Sequence, residues 1–274
     1  MSDESFEGYA VRIGDLLMIF DTHAHYEDEA FDEDREEVLR SLPAAGVTDV
    51  VNVASTWDSL EKTRKVVESH DHMYAAYGIH PDNVYELSEE RMEKLKAYCR
   101  TQRCVAVGEI GLDYHHGKET RDGQIFWFRK QLELARELDL PVIIHSRDAA
   151  EDTMRILRDE KTGETGGVVH CYSYSVEDAL QYVKAGLFLG IGGVVTFKNA
   201  RRLKETVAAV PLENLVLETD CPYLAPEPHR GTRNTSANLP YVVRAIAEIR
   251  HISEEETEDA MYRNAERLYR LTGR

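Results

Sequence analysis

Closely spaced cysteines are absent from this sequence. Its 274 residues include four cysteines, and no two of them form a CxxC pair. A chain of this length buries a hydrophobic core that is large enough to stabilise the fold without disulfide bonds. We therefore expect four free thiols in a protein of the reducing cytoplasm, and we assign no metal to cysteine.

Long apolar segments and an excess of positive charge are absent as well. No apolar stretch approaches the roughly 20 residues that cross a bilayer, so we expect no membrane-spanning segment. Asp and Glu outnumber Lys and Arg by 50 to 33, and the formal net charge is −17. This balance argues against broad, nonspecific coating of nucleic acid. Nothing in the composition indicates an obligatory protein partner.

Local positive charge is nevertheless present between positions 197 and 204. That stretch carries four basic residues, of which Lys198 is the first. A basic run at the start of a helix is usually a solvated face. Because Lys198 follows a predicted strand, a contact with an anionic substrate is the alternative interpretation.

Eight short apolar runs alternate with segments of helical periodicity. A strand that is buried on both faces reads as a continuous apolar run. Eight strands and about eight helices indicate an α/β fold, a (β/α)8 barrel of the TIM type, with a doubly wound open sheet as the alternative. We expect residues 18–274 to form a single catalytic barrel domain, preceded by a leader, residues 1–17, without an assigned function. The predicted strands cover residues 19–25, 49–54, 73–80, 104–110, 141–146, 167–171, 187–192 and 215–220.

Five of these runs end in residues that bind divalent metals well. A single histidine on an apolar strand is more often structural than a metal ligand, but several at equivalent positions reverse that expectation. Parallel strand ends meet at one mouth of a closed barrel, whereas an open sheet binds at a single switch point, so the pattern favours the barrel. The candidate ligands are His23 and His25 at the end of the first run, Glu109 at the end of the fourth, His145 at the end of the fifth, His170 at the end of the sixth and Asp220 at the end of the eighth.

The six candidate ligands also predict the kind of metal centre. Nitrogen and oxygen ligands without sulfur fit Zn, Mn, Co, Fe or Mg. Six ligands are more than one tetrahedral ion needs, so we expect two divalent ions, with Glu109 able to bridge them. Neutral imidazoles and two carboxylates leave such a pair positively charged, which suits an anionic substrate such as a phosphoester. We expect Asp220 to accept a proton from the attacking water.

Five motifs, in order along the chain, carry a resemblance to a known family. They are Asp21-Thr22-His23-Ala24-His25, Gly78-Ile79-His80-Pro81, Gly108-Glu109-Ile110-Gly111-Leu112-Asp113-Tyr114, Pro141-Val142-Ile143-Ile144-His145-Ser146-Arg147, and Glu218-Thr219-Asp220 through Arg230-Gly231-Thr232-Arg233-Asn234. As a set they are very specific, and they resemble the TatD family over residues 18–271. Members of that family are similar to the metal-dependent amidohydrolase barrels and are described as cytoplasmic 3′–5′ deoxyribonucleases that use divalent metal.

The resemblance implies roles for individual residues. It implies that the same six residues are the metal ligands, with Glu109 as the bridge in place of the carboxylated lysine of many amidohydrolase relatives. It implies that His80 contacts the substrate, where it binds phosphate or assists proton transfer; a hydrogen bond behind a ligand is the alternative. Arg147, Arg230 and Arg233 are candidate phosphate contacts, and Arg233 is equally suited to hold the last loop in place.

Two positions depart from the usual family pattern. The family commonly has His-Cys-Phe-Ser-Gly where this chain has the sequence His-Cys-Tyr-Ser-Tyr, so Tyr174 reshapes that loop or stacks on a base. Thr235 and Ser236 replace the usual Glu-Pro after Asn234, which leaves the conformation of that loop open. Neither departure falls on a predicted metal ligand.

Three functions are compatible with these observations. The first is a 3′–5′ exodeoxyribonuclease, which cleaves phosphodiester bonds at DNA ends with metal-activated water. The second is a metal-dependent ester or amide hydrolase, such as an aminoacyl-tRNA deacylase or a small-molecule amidohydrolase. The third is a metal-binding protein without catalytic activity, and the intact set of six ligands argues against it. The expected partner is therefore a DNA end or another phosphoester substrate.

Overall fold

Residues 18–271, the described part of this computed structural model, are built on eight parallel strands. Strands that follow one another in sequence are hydrogen-bonded neighbours throughout the sheet. The predicted leader, residues 1–17, lies outside the described residues. The strands are β1 (Ile19–Ala24), β2 (Val47–Val53), β3 (Met73–Tyr77), β4 (Cys104–Asp113), β5 (Val142–Arg147), β6 (Gly167–Val169), β7 (Leu187–Ile191) and β8 (Leu215–Leu217).

The end of β8 returns to β1 and closes the sheet into a barrel. A parallel bridge joins Ala24 to Cys221. Backbone hydrogen bonds run from Asp220 N to His23 O, at 2.9 Å, and from His25 N to Cys221 O, at 2.8 Å. The predicted (β/α)8 barrel is therefore confirmed. A doubly wound open sheet is excluded, because its strand order reverses at a switch point and its outer strands stay apart.

Helices follow the strands and cover the barrel. Several begin with a side chain that accepts a hydrogen bond from a backbone amide three residues ahead, as in Ser88 to Arg91 N and Ser253 to Glu256 N. Within residues 18–271, no helix combines the length and the apolar character that a bilayer-spanning segment requires. The helices are α1 (Arg35–Ser41), α2 (Trp57–Glu68), α3 (Glu89–Cys99), α4 (Arg121–Leu138), α5 (Ala150–Asp159), α6 (Val176–Lys184), α7 (Arg201–Ala209), α8 (Leu239–Arg250) and α9 (Glu254–Leu268).

The last helix, α9, closes the end of the barrel at which the strands begin. Leu268, its last residue, and Tyr269, the residue that follows it, pack in one hydrophobic cluster with side chains from all eight strands. Phe20, Tyr74 and Phe188 in that cluster are each the second residue of their strand. The opposite end, at which the strands terminate, is left for the site.

Glu258, on α9, carries a carboxyl group that is difficult to ionise in the folded protein. Its side chain is only 7% exposed, and burial, with the negative charges of Glu254 and Glu255, raises the pKa of Glu258 to about 7. The unfolded chain releases this proton near the ordinary pKa of 4.5. The folded state therefore binds more protons between these two values, and its stability falls as the pH rises through them.

Glu258→Gln removes this loss of stability. We expect the free energy of unfolding of the variant to exceed that of the wild type by about 1 kcal/mol at a pH of about 8, since solvent screens part of the charge. At a pH of about 4 the two proteins should differ little, because the carboxyl is largely protonated in both states. Urea unfolding at both pH values measures the difference. An equal gain at both would contradict the charge explanation.

Candidate metal centre

All six predicted ligands converge at one end of the barrel. His23, Glu109 and His145 lie within β1, β4 and β5, while His25, His170 and Asp220 follow β1, β6 and β8. Four of the side chains are buried, and those of His145 and Asp220 are partly exposed toward the mouth. The rings of His23 and His170 stack with centroids 4.1 Å apart. Residues that are separated by up to 197 positions in the sequence thus share one site.

The Glu109 carboxylate is at the centre of this cluster. Its Oε1 atom lies 2.7 Å from His170 Nε2 and 2.9 Å from His145 Nδ1. Its Oε2 atom lies 3.8 Å from His23 Nε2 and 3.9 Å from His25 Nε2. The two oxygens of one carboxylate therefore face two different pairs of imidazoles.

The pair formed by His23 and His25 is completed by a second carboxylate. Nε2 of His23 and Nε2 of His25 are 3.0 Å apart, and Asp220 Oδ1 lies 3.3 Å from His25 Nε2 and 3.7 Å from His23 Nε2. The other ring nitrogen of His25, Nδ1, donates to the carbonyl oxygen of Val53 at 2.7 Å. That hydrogen bond leaves the lone pair of His25 Nε2 directed at the cluster.

The donor atoms fit divalent ions in both chemistry and spacing. Ligands around an ion with bonds of about 2.1 Å are separated by about 3.4 Å in a tetrahedron, and the distances to Glu109 and Asp220 lie on either side of that value. Two groups of three, His23 with His25 and Asp220, and His80 with Glu109 and His145, each have ligand atoms within 4.8 Å of one another. Imidazole and carboxylate without sulfur suit Zn, Mn, Fe, Co or Mg.

Two neighbouring histidines of the cluster have pKa values that are shifted in opposite directions. Burial, together with the nearby charge of His170, holds the pKa of His23 well below its ordinary value. His25 is also buried, but its contacts with Asp220 and Glu27 outweigh burial and raise its pKa well above the ordinary value. Protons and divalent cations compete for the same lone pairs in such a cluster.

His80 is brought to the edge of the same cluster. Its Nε2 atom lies 3.7 Å from Glu109 Oε1, and its ring centroid is 4.3 Å from that of His145. The backbone N–H of Asp82 donates to His80 Nδ1 at 3.2 Å. Burial lowers the pKa of His80 to about 4, so the ring is neutral. Because Nδ1 accepts a hydrogen bond, the proton of the neutral ring is on Nε2, which faces Glu109.

The candidate phosphate-binding side chains are distributed around the mouth. Arg147 is exposed at the end of β5, and Lys198 is exposed in the loop between β7 and α7. The guanidinium of Arg230 lies 4.4 Å from the ring centroid of Phe197, the neighbour of Lys198. Lys198 and Arg230 are therefore brought to one side of the mouth.

Arg233, the fourth candidate, is occupied by contacts within the protein. It forms a bidentate ion pair with Asp34, with N–O distances of 2.8 Å and 2.5 Å, and it donates to the carbonyl oxygen of Ala30 at 2.6 Å. Its guanidinium also covers the ring of Phe31. These contacts tie the loop after β8 to the loop after β1, so the geometry supports the loop-holding interpretation.

Both departures from the family pattern are integrated into the fold. The hydroxyl of Tyr174 lies 2.9 Å from Ser146 Oγ and accepts the amide of Ala149 at 3.2 Å, so it braces the loop after β5. Ser236 is fully buried, and its hydroxyl donates to Asp21 Oδ2 at 2.6 Å. The loop that contains Thr235 and Ser236 is therefore anchored to β1.

Asp113 is a residue near the ligands that the sequence interpretation missed. The fourth strand was predicted to end at residue 110, but β4 continues to Asp113, where its carboxylate Oδ2 lies 3.1 Å from His145 Nε2. The signal was present, because side chains alternate along a strand and Glu109, Gly111 and Asp113 share one face. The extension by three residues places a third carboxylate beside the site.

Two glutamines on α4 were missed as well. Gln131 pairs with the backbone of Ile79 through both its oxygen, at 2.8 Å, and its nitrogen, at 3.1 Å. Gln124 pairs in the same way with the backbone of Asp113, at 2.9 Å for both contacts. Both side chains are fully buried, and their seven-residue spacing places them on one face of the helix. One helix therefore fixes the backbone next to His80 and at Asp113.

Comparison with known proteins extends along almost the whole chain. A sequence model described as TatD related DNase matches residues 20–270. YabD of Bacillus subtilis (strain 168), described as an uncharacterised metal-dependent hydrolase, is 41% identical over 254 residues, which is 93% of this chain and 100% of that protein. YcfH of Escherichia coli (strain K12), described in the same words, is 35% identical over 258 residues, 93% of this chain and 97% of that protein.

A solved structure is similar to this chain in both fold and overall sequence. The crystal structure of YJJV, a TatD homolog from Escherichia coli K12, superimposes with a TM-score of 0.87 at 31% sequence identity. The superposition covers 92% of this chain and 98% of that one. The family match includes the positions of all six candidate ligands.

Proposed function

The chain belongs to the TatD family of metal-dependent hydrolases, and on this basis we propose that it is a 3′–5′ exodeoxyribonuclease that uses two divalent ions. The observation that carries the proposal is the position of Glu109, whose two oxygens face two different imidazole pairs. A carboxylate in that position is suited to bridging two ions. His23, His25 and Asp220 would hold one of them.

His145 and His170 would hold the second ion. Their Nδ1 and Nε2 atoms are 3.3 Å apart, and both lie beside Glu109 Oε1. When bound, the ions lower the pKa of a water molecule and stabilise negative charge on the phosphate. Asp220, whose side chain is 19% exposed at the mouth, would accept the proton of that water. We propose Mg, Mn or Zn as the metal.

His80 is proposed to bind the phosphate as a neutral hydrogen-bond donor. Its Nδ1 is already engaged by the Asp82 amide, so the N–H on Nε2 is available to an oxygen of the substrate. Arg147, Lys198 and Arg230 supply positive charge at the mouth of a protein with a formal net charge of −17. This arrangement favours a local contact with a phosphorylated end over coating of long DNA. The cytoplasmic location stays a prediction from the cysteine pattern.

An assay on defined DNA ends tests the proposal. The purified protein, loaded with Mg, Mn or Zn, is incubated with single-stranded DNA that is labelled at its 5′ end, with a circular single strand of the same sequence, and with an aminoacyl ester. We expect stepwise shortening of the linear strand from its 3′ end and no cleavage of the circle. Robust ester hydrolysis without nucleotide release would instead support the ester or amide hydrolase.

Charge variants at the mouth refine the test. Lys198→Ala and Arg230→Ala should raise KM on DNA by about 3- to 10-fold each and leave kcat within about 2-fold, because each removes one contact that substrate and transition state share. Lys62→Ala, at an exposed position on α2, is the charge-matched control. An unchanged KM in both mouth variants would show that these two residues do not bind the substrate.

A further inference from the structure

The two imidazoles beside Glu109 Oε1 differ in how their other ring nitrogen is held. Nδ1 of His170 has no hydrogen-bond partner among residues 18–271. For His145 it is Nδ1 that faces Glu109, and Nε2 lies 3.1 Å from Asp113 Oδ2. His145 is therefore held between two carboxylates, one on the side of the proposed ion and one behind it.

Asp113 is itself rigidly placed. Its side chain is buried, and its Oδ1 atom accepts the amides of His115 and His116 at 2.8 Å and 3.0 Å. Its backbone N–H and carbonyl are both paired with the side chain of Gln124. Oδ2 is thereby left to face the ring of His145.

The contacts of Asp113 determine the tautomer of the His145 ring. The two backbone amides occupy Oδ1, and Oδ2 lies 3.1 Å from His145 Nε2. A carboxylate is a strong acceptor for a ring N–H. Because a carboxylate can only accept, this geometry requires that Nε2 carries the proton.

We propose that Asp113 is a positioning residue that fixes the orientation and tautomer of His145, so that Nδ1 offers its lone pair to the ion shared with His170. A carboxylate behind a ligating imidazole holds the ring in place and makes it a more basic ligand, and its removal typically weakens metal binding by about 10- to 100-fold. The inference rests on the proposed metal centre. It does not depend on which bond the protein cleaves.

Metal binding in the absence of substrate tests this role. The full chain, as wild type and as Asp113→Ala and Asp113→Asn, is stripped of metal and titrated with Zn by competition against a chelator. We expect Asp113→Ala to lower the affinity for one of the two ions by about 10- to 100-fold and the affinity for the other by less than about 3-fold. The affinity of Asp113→Asn for that ion should lie between those of the wild type and Asp113→Ala, because its amide oxygen accepts the same hydrogen bond without the charge.

Asp148→Asn is the charge-matched control. Its carboxylate lies in the loop after β5, where it is 65% exposed and contacts His115 at 3.0 Å, not a proposed ligand. We expect both ions to bind this variant as they bind the wild type. A second measurement uses NMR on Zn-loaded protein with 15N-labelled histidine. The proton on His145 Nε2 should exchange with water slowly in the wild type and fast in Asp113→Ala.

Three results would overturn the proposal. The first is that Asp113→Ala binds both ions with the same affinities as Asp148→Asn. Another is an equal loss of both ions, which would mean that Asp113 supports the whole fold. The last is that the wild type binds three ions and Asp113→Ala binds two. Asp113 would then itself be a ligand, together with His80 and Asp82, whose ligand atoms lie within 4.8 Å of its carboxylate. Absence of nuclease activity would leave all of these measurements interpretable.

Discussion

Glu109→Gln is expected to abolish hydrolysis while the protein stays folded. Glutamine keeps the length and volume of the side chain but replaces one of the two anionic oxygens by an amide NH2, which cannot bind a cation. Because the two oxygens face different imidazole pairs, the substitution removes the bridge and leaves ligands for one ion. Loss of a residue behind a metal ligand costs about 10- to 100-fold, so we expect a loss in kcat/KM beyond about 100-fold here.

The metal content of the same variant separates the bridge from a general effect on activity. We expect elemental analysis after dialysis to give about two ions per chain for the wild type and about one for Glu109→Gln. Glu151→Gln, at an exposed position in the first turn of α5, removes the same charge and serves as the control. Full activity of Glu109→Gln at unchanged metal content would refute the bridging assignment.

The barrel and the grouping of the candidate ligands could be predicted from sequence because both depend on local patterns. A strand that is buried on both faces must be apolar along its length, and parallel neighbours need a helical crossover between them. The first polar residue after such a run then marks the strand end. His170, which follows β6 directly, agrees with this logic, whereas β4 continues past Glu109 to Asp113. All parallel strand ends share one mouth, so the grouping of the ligands followed as well.

The residues that support the ligands could not be predicted in the same way. Ser236 contacts Asp21 across 215 positions of sequence, and Arg233 contacts Asp34 across 199. No periodicity within one element encodes such pairs. The two buried glutamines of α4, Gln124 and Gln131, were in principle detectable as polar residues on the apolar face of a predicted helix. Their partners are backbone groups of strand ends, which a sequence pattern does not reveal.

Asp21 is the residue whose loss should destabilise the fold most. It is fully buried beneath the ligands of β1, and its carboxylate accepts four hydrogen bonds. Oδ1 accepts the amides of His23, at 3.2 Å, and Thr219, at 3.0 Å, while Oδ2 accepts the hydroxyls of Thr219 and Ser236, both at 2.6 Å. One side chain thereby joins β1, the end of β8 and the loop that follows it.

Asp21→Ala leaves all four donors without their acceptor in a buried position. Each unsatisfied buried donor costs about 1 to 3 kcal/mol, and relaxation recovers part of the sum. We expect the free energy of unfolding to fall by about 3 to 5 kcal/mol, a range typical of breaking a buried charged contact. Urea unfolding, monitored by tryptophan fluorescence at a pH of about 8, measures the change; there the Asp21 carboxyl, whose pKa burial raises to about 6, is ionised.

Two further variants show whether the effect belongs to the network. Asp49→Ala removes a half-buried carboxylate of β2 that accepts a single hydroxyl, from Tyr262 at 2.8 Å, and should cost about 1 kcal/mol. Ser236→Ala removes one of the four donors and should cost about as little. A loss in Asp21→Ala no greater than that in Asp49→Ala would mean that the four hydrogen bonds do not hold the strands together. Asp21 also fixes the backbone at His23 and at Thr219, the residue before Asp220. Loss of the network should therefore also lower the affinity for the ion that His23 and Asp220 are proposed to share.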